Sequence, residues 1–170
     1  LSLAAKDVIG HEITHGLISK TSRLKYEHQS GALNESFSDF FGAMIDNEDW
    51  LIGEDLKSPS GKALRDMANP GAGLSQQPYH IDQYQRQPNT KLGNWGGVHK
   101  YSGIPNRALY LLADGLPGSI GRQKTANLAF KTMTSLTSLA TFNDAAEYMI
   151  NLAAQEYPGD PEVLEATTSA

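Results

Sequence analysis

The apolar positions of this chain recur mostly at intervals of three and four residues, the period of an amphipathic helix, and predict a mainly α fold. A first helix is expected over Leu3 to Ser19, with Gly16 as a packing contact or weak point, and a second over Ala32 to Asp46. From Ser58 to Trp95 the periodicity fades into Pro, Gly, Gln and Asn, which reads as a long irregular loop with short helical turns around Ala63 to Met67. Loops of that length in compact domains are usually functional. A Gly-Gly turn then precedes His99, and Ser102 with Pro105 reads as the N-cap and first turn of a helix ending near Gly115. Helices over Gly121 to Ser135 and Asn143 to Tyr157 follow, the latter opened by Thr141 with Asp144 three residues on, and Asp160-Pro161-Glu162 starts another.

The first two helices carry polar residues that an ordinary amphipathic pattern does not explain. His11 and His15 lie four residues apart, so at about 100° per residue their rings share one face, about 40° apart. That is the spacing of two ligands to one metal ion. Glu12 is set about 60° round the helix from His15, within reach of a water at the metal rather than of the metal itself. On the second helix Glu35, Asp39, Gly42 and Asp46 fall on one stripe amid Phe37, Phe40, Phe41, Met44 and Ile45. Asp7, His11 and His15 form the matching stripe on the first. Antiparallel packing sets Glu35 by both histidines, Asp39 by His11, and Asp46 by Asp7, with Gly42 allowing a close crossing. The product is a zinc site between two antiparallel helices: two histidines, one glutamate and a fourth position for water, the pattern of catalytic zinc. Asp39 is then the carboxylate that orients a ligand histidine.

At 170 residues the chain suits one domain, 1–170. Its net charge of −5 offers no basic face to nucleic acid, and no run of about 18 apolar residues is present to span a membrane. With no cysteine, metal ligands come from His and carboxylates. The beginning, LSLAAKDVIG, lacks a basic leader region and has no signal peptide; it reads as a cut inside a longer protein, with nothing before the histidine helix to wall a cleft. From Asp46 to Lys57 five carboxylates, Asp46, Glu48, Asp49, Glu54 and Asp55, precede any base. Such density is solvated or bridged by a hard cation, and calcium fits. By helix rise, Asp7 and Asp46 lie roughly 6 Å and 16 Å along their helices from His11 and Glu35, so this is a second site. Arg65 is the one strong anchor in the long loop for a carbonyl or carboxylate, the plain alternative being a surface ion pair; His28 and His80 sit in polar loops without a role.

With these residues in view, the chain resembles the C-terminal, helical half of the thermolysin-like neutral metalloproteases. The resemblance runs from Lys6 to the end and rests on HEITHG, GALNESFSDFFG, the DW..GED segment, ALRDMANP and GGVHKYSGIPN in that order. It implies that His11, His15 and Glu35 bind zinc, that Glu12 is the general base, and that Tyr26 and His99 stabilise the tetrahedral intermediate. It further implies that Arg65 binds a substrate carbonyl, that Asp39 backs the first zinc histidine, and that Val8, Ile52, Leu56 and Leu64 wall an apolar pocket for the side chain after the scissile bond. Asp7, Asp46, Asp49 and Glu54, with the Leu51 carbonyl, match calcium ligands. The family is one of secreted endopeptidases, so peptide or protein substrates are the implied partners.

Three departures stand out. The segment between Asp46 and Asp49 is much shorter than in thermolysin, which counts against a second calcium. The family aspartate five residues before the active-site histidine is Asn94 here, a neutral amide. The β-rich N-terminal half, the other cleft wall, is absent. The competing expectation is therefore a non-catalytic zinc-binding fragment or partner-binding module; an aminopeptidase would need an acidic group for the substrate's amine, and none is assigned.

Overall fold

The structure, a computed structural model, describes residues 5–56 and 58–170. Helix α1 spans Lys6–Lys20 and α2 spans His28–Asp46. Two-residue strands β1, Leu51–Ile52, and β2, Arg65–Asp66, pair antiparallel. Helices α3, Asn94–Tyr101, and α4, Gly103–Tyr110, are nearly continuous, and a π turn, Leu111–Gly115, extends the latter. Helices α5, Gly121–Ser135, α6, Phe142–Glu156, and α7, Pro161–Ser169, complete the fold. The start expected at Leu3 lies outside the described residues.

Helix α2 is the axis of the molecule, buried along most of its length between α1, α4 and α5. Its Leu33, Phe37 and Phe40 meet Ile18, Trp50, Ile52, Met67, Leu109 and Met133 in the main core, while Leu128, Leu152 and Val163 make a smaller one with α5, α6 and α7. The α1–α2 crossing is close because Gly10 and Gly42 face each other; a Cβ on Gly42 would stand 2.5 Å from the Asp7 carbonyl oxygen. Gly16, in contrast, faces open space and makes no packing contact.

Three local expectations need correction. Helix α2 begins at His28 rather than Ala32, because Gly31 packs against Val98 and the Tyr26 backbone, and this tertiary contact extends the helix through a polar stretch. The segment Ala63 to Met67 is extended, not helical: Leu64 N donates to Ile52 O at 2.9 Å and Met67 N to Trp50 O at 2.9 Å. Helix propensity there loses to strand pairing and to the burial of Arg65. Ser102 is not an N-cap; its backbone is helical, α3 runs into α4, and its hydroxyl turns back to the His99 carbonyl at 3.2 Å. The Thr141–Asp144 capping box forms as expected, with both reciprocal bonds present.

Candidate metal centre and cleft

Helices α1 and α2 run antiparallel, and the stripe register follows. His15 Nδ1 lies 2.7 Å from Asn34 Oδ1, and His11 Nδ1 lies 2.8 Å from Asp39 Oδ1, though at an angle too bent for a strong hydrogen bond. The Asn34 amide is oriented by its own donation to the Leu24 carbonyl at 3.3 Å, so Oδ1 faces His15 and Nδ1 of that ring carries the proton. Both rings thus turn Nδ1 toward an acceptor and leave Nε2 as a lone pair. The two Nε2 atoms are 2.9 Å apart, a separation that two neutral lone pairs do not hold by hydrogen bonding. Glu35 Oε2, itself buried and without a hydrogen-bond partner among the described residues, is 3.6 Å from His11 Nε2, and Glu35 Oε1 is 3.4 Å from His15 Nε2. Tetrahedral donors at the usual zinc distances stand about 3.4 Å from one another. The three side chains therefore fit zinc in chemistry and in spacing.

Charges around the pair are balanced by burial and contact. Burial pushes the Glu35 carboxyl up, but contact with His15, the neighbouring His99 and the Tyr26 hydroxyl outweighs it and holds it below the usual range. For Asp39, fully buried, burial again acts upward, and the Arg65 guanidinium and His11 hold it far down. Arg65 Nε and Nη2 donate to the two Asp39 oxygens at 2.7 and 2.6 Å, and Asn106 Nδ2 from α4 donates to Asp39 Oδ2 at 2.9 Å. Arg65 is thus a buried partner of Asp39 rather than a surface ion pair.

An open cleft of about 360 Å³ lies over this centre, lined by His11, Glu12, His15, Tyr26, Asn34, Glu35 and His99. Glu12 is exposed into it. The Tyr26 hydroxyl donates to Glu35 Oε1 at 2.5 Å and is 3.0 Å from His99 Nε2, so Tyr26 and His99 meet in the cleft. Burial first, then the Glu35 charge, push the Tyr26 hydroxyl upward, so it stays a donor. A larger apolar cavity of about 620 Å³ sits elsewhere, between α2, α4 and α6, and holds none of these groups.

Of the proposed pocket residues, Leu56 and Leu64 both approach Gly53 at the surface, Val8 is half-buried, and Ile52 lies beneath in the core. Away from this cluster, Asp7 is buried and accepts from Gly53 N. Asp49 Oδ1 accepts from Leu51 N at 2.7 Å, and Asp46 is 3.6 Å from the Lys6 ammonium. Burial, followed by the repulsion of Asp7, Asp49 and Asp46, raises the Glu54 carboxyl. Three of the predicted calcium-binding carboxylates, Asp7, Asp49 and Asp46, are therefore close enough to the fourth, Glu54, to repel it.

Three supporting residues escaped the sequence reading. Asn34 and Asn106 face His15 and Asp39, and buried Gln77 donates to the His99 carbonyl at 2.6 Å and to Ser102 Oγ at 2.8 Å. Asn34 was within reach of pattern reasoning, since it falls beside Glu35 opposite His15; Asn106 and Gln77 carry no such periodic signal.

Residues 22–170 match the family model for the thermolysin metallopeptidase α-helical domain. This chain belongs to the thermolysin metallopeptidase family. Within that family it is similar to bacillolysin of Bacillus amyloliquefaciens, 43% identical over 166 residues that make up 96% of this chain and 30% of the relative. It is also 43% identical over 166 residues to neutral protease NprE of Bacillus pumilus, covering 96% of this chain and 53% of the relative. Extracellular elastase of Staphylococcus epidermidis is 47% identical over 144 residues, 83% of this chain and 26% of the relative. The solved precursor of protealysin, a metalloproteinase from Serratia proteamaculans, superposes with a TM-score of 0.79 at 35% identity, over 96% of this chain and 56% of that one. The chain thus spans between about a quarter and just over half of these metallopeptidase relatives. It is the C-terminal helical domain of the thermolysin-like fold, the family implies zinc, and no described helix is long and apolar enough to cross a membrane.

Proposed function

We propose that this chain is the zinc-binding half of a secreted endopeptidase that cleaves peptide bonds before bulky apolar residues. The observation that carries the reading is the convergence of two Nε2 lone pairs and a partnerless Glu35 oxygen beneath a cleft into which Glu12 is exposed. Held by His11, His15 and Glu35, zinc would polarise the peptide carbonyl and acidify a water. Glu12 takes a proton from the attacking water and delivers it to the leaving amine. Tyr26 and His99, on the opposite rim, donate hydrogen bonds to the developing oxyanion. Arg65 uses Nε and Nη2 on Asp39, leaving Nη1 for a substrate carbonyl. Leu56, Leu64 and Val8, backed by Ile52, supply the apolar wall.

The same centre is open on one side. Ile9, Ile13 and Leu17 line up along the outer face of α1, 47%, 63% and 38% exposed, and this stripe is where we place the second half of the enzyme. A quenched peptide with Leu after the scissile bond, with a zinc chelator as control, tests the reading. Zinc bound at one equivalent, with no cleavage even after the second half is supplied, would favour the non-catalytic module instead.

We assign one calcium ion to Asp7, Asp46, Asp49, Glu54 and the Leu51 carbonyl, supported by the repulsion that Asp7, Asp49 and Asp46 exert on Glu54. Binding to the folded state alone stabilises it by about 2.7 kcal/mol at a hundredfold excess over Kd. The expected outcome is a Tm that climbs with the logarithm of calcium and falls in EGTA; a Tm indifferent to both removes the site.

A further inference from the structure

The residues before His99 make a left-handed turn: Asn94, Trp95, Gly96 and Gly97 have φ of 52°, 53°, 87° and 83°. Left-handed backbone is costly for Trp, and such strain persists only where its surroundings enforce it. Its effect is to fold the Asn94 side chain back over His99. Asn94 Oδ1 accepts the His99 backbone N–H at 2.8 Å, and of the two amide ends Nδ2 is the nearer to His99 Nδ1, at 2.9 Å against 3.2 Å for Oδ1.

A backbone N–H can only donate, so it settles which end of the amide is oxygen. The other end is then NH₂, also only a donor, and the shorter of the two contacts to the ring nitrogen, the one from this NH₂, has that nitrogen accept. Nδ1 of His99 is therefore unprotonated, and in the neutral ring the proton sits on Nε2. A second contact agrees independently. The single Tyr26 hydroxyl proton is directed to Glu35 Oε1 at 2.5 Å, so toward His99 Nε2, 3.0 Å away, that oxygen can only accept. Both neighbours of the ring call for a proton on Nε2.

We infer that Asn94 is a positioning residue that fixes neutral His99 as the Nε2–H tautomer, so that His99 presents an N–H to the substrate oxyanion without carrying a charge. This rests on the reading of His99 as an oxyanion donor. A carboxylate at the same place could only accept, and would draw the proton to Nδ1; Nε2 would then donate only in the doubly protonated ring. The asparagine thus changes how the histidine donates while keeping where it points.

The test is spectroscopic. In the zinc-loaded chain with ¹⁵N-labelled histidine, at a pH where the ring is neutral, two-bond proton–nitrogen correlations identify which His99 nitrogen carries hydrogen. The expected result is hydrogen on Nε2, with the two nitrogen shifts exchanging in Asn94→Asp as the proton moves to Nδ1. Hydrogen on Nδ1 in the native chain, or the same tautomer in native and Asn94→Asp, overturns the inference. The native spectrum decides the matter even if the variant does not fold. Because the measurement needs no turnover, an Nε2–H tautomer in a chain that shows no peptidase activity even after the second half is supplied would sink the proposed function and leave this assignment standing.

Discussion

Glu12→Gln is expected to keep zinc at one equivalent and lower kcat by about 10²–10⁴-fold, whereas Glu35→Ala is expected to lose the metal. The contrast follows from where the two carboxylates point. Glu35 is 1% exposed, with oxygens 3.4 and 3.6 Å from the two histidine Nε2 atoms, and no other buried carboxylate is placed to replace it among the described residues. Glu12 is one position along α1 from His11, exposed in the cleft, and touches neither lone pair. Its loss removes proton transfer, which contributes about 10²–10⁴-fold, and leaves the ligands intact. Removing a ligand should weaken zinc binding by more than the roughly 10–100-fold that outer partners command. Metal content by mass spectrometry beside cleavage of the quenched peptide separates the two; stoichiometric, tightly held zinc in Glu35→Ala would show the third ligand to be another residue.

The second large effect is on stability. Asp39→Ala removes the anion that satisfies Arg65 through two bonds, accepts from Asn106 and faces His11. Arg65, 6% exposed, would then be a buried unpaired cation. Breaking one side of such a pair costs about 3–5 kcal/mol, and for a chain of this size that lowers Tm on the order of 10 °C. The effect has a defined pH window. Burial acts to raise the Asp39 carboxyl, but Arg65 and the His11 contact outweigh it, so the folded value lies below the unfolded one. Its contribution is therefore complete above the unfolded value, near pH 4, and is lost as pH falls from there toward the folded value. The Tm gap between native protein and Asp39→Ala should narrow below about pH 4; a gap that stays constant or widens there would mean the Arg65 pair is not its source.

The clustering of His11, His15 and Glu35 was legible because a helix converts spacing into direction. His11 and His15 on one face, and Glu35, Asp39 and Gly42 on another, leave one antiparallel register that satisfies all of them, and the structure adopts it. The residues that hold these groups in place were not legible to the same degree. Asn106 reaches Asp39 across 67 positions of sequence, and Gln77 reaches the His99 carbonyl from an aperiodic loop. Neither contact leaves a trace in local pattern. Strand β2 was misread as helical because Ala, Leu, Arg and Met favour helix in isolation, while pairing with β1 and the burial of Arg65 decide the outcome.

The left-handed turn at Asn94 to Gly97 also limits what evolution can try at this rim of the cleft. A Cβ on Gly96 would meet His28 Nδ1 at 2.3 Å, and one on Gly97 would meet the Tyr101 ring at 2.7 Å, so both positions are closed to side chains. Asn94 is held by its two bonds to His99. Trp95, 43% exposed, has room to vary, at the backbone cost already carried. Natural drift and a randomised library alike would find their diversity here funnelled into one side chain, Trp95, four residues before His99.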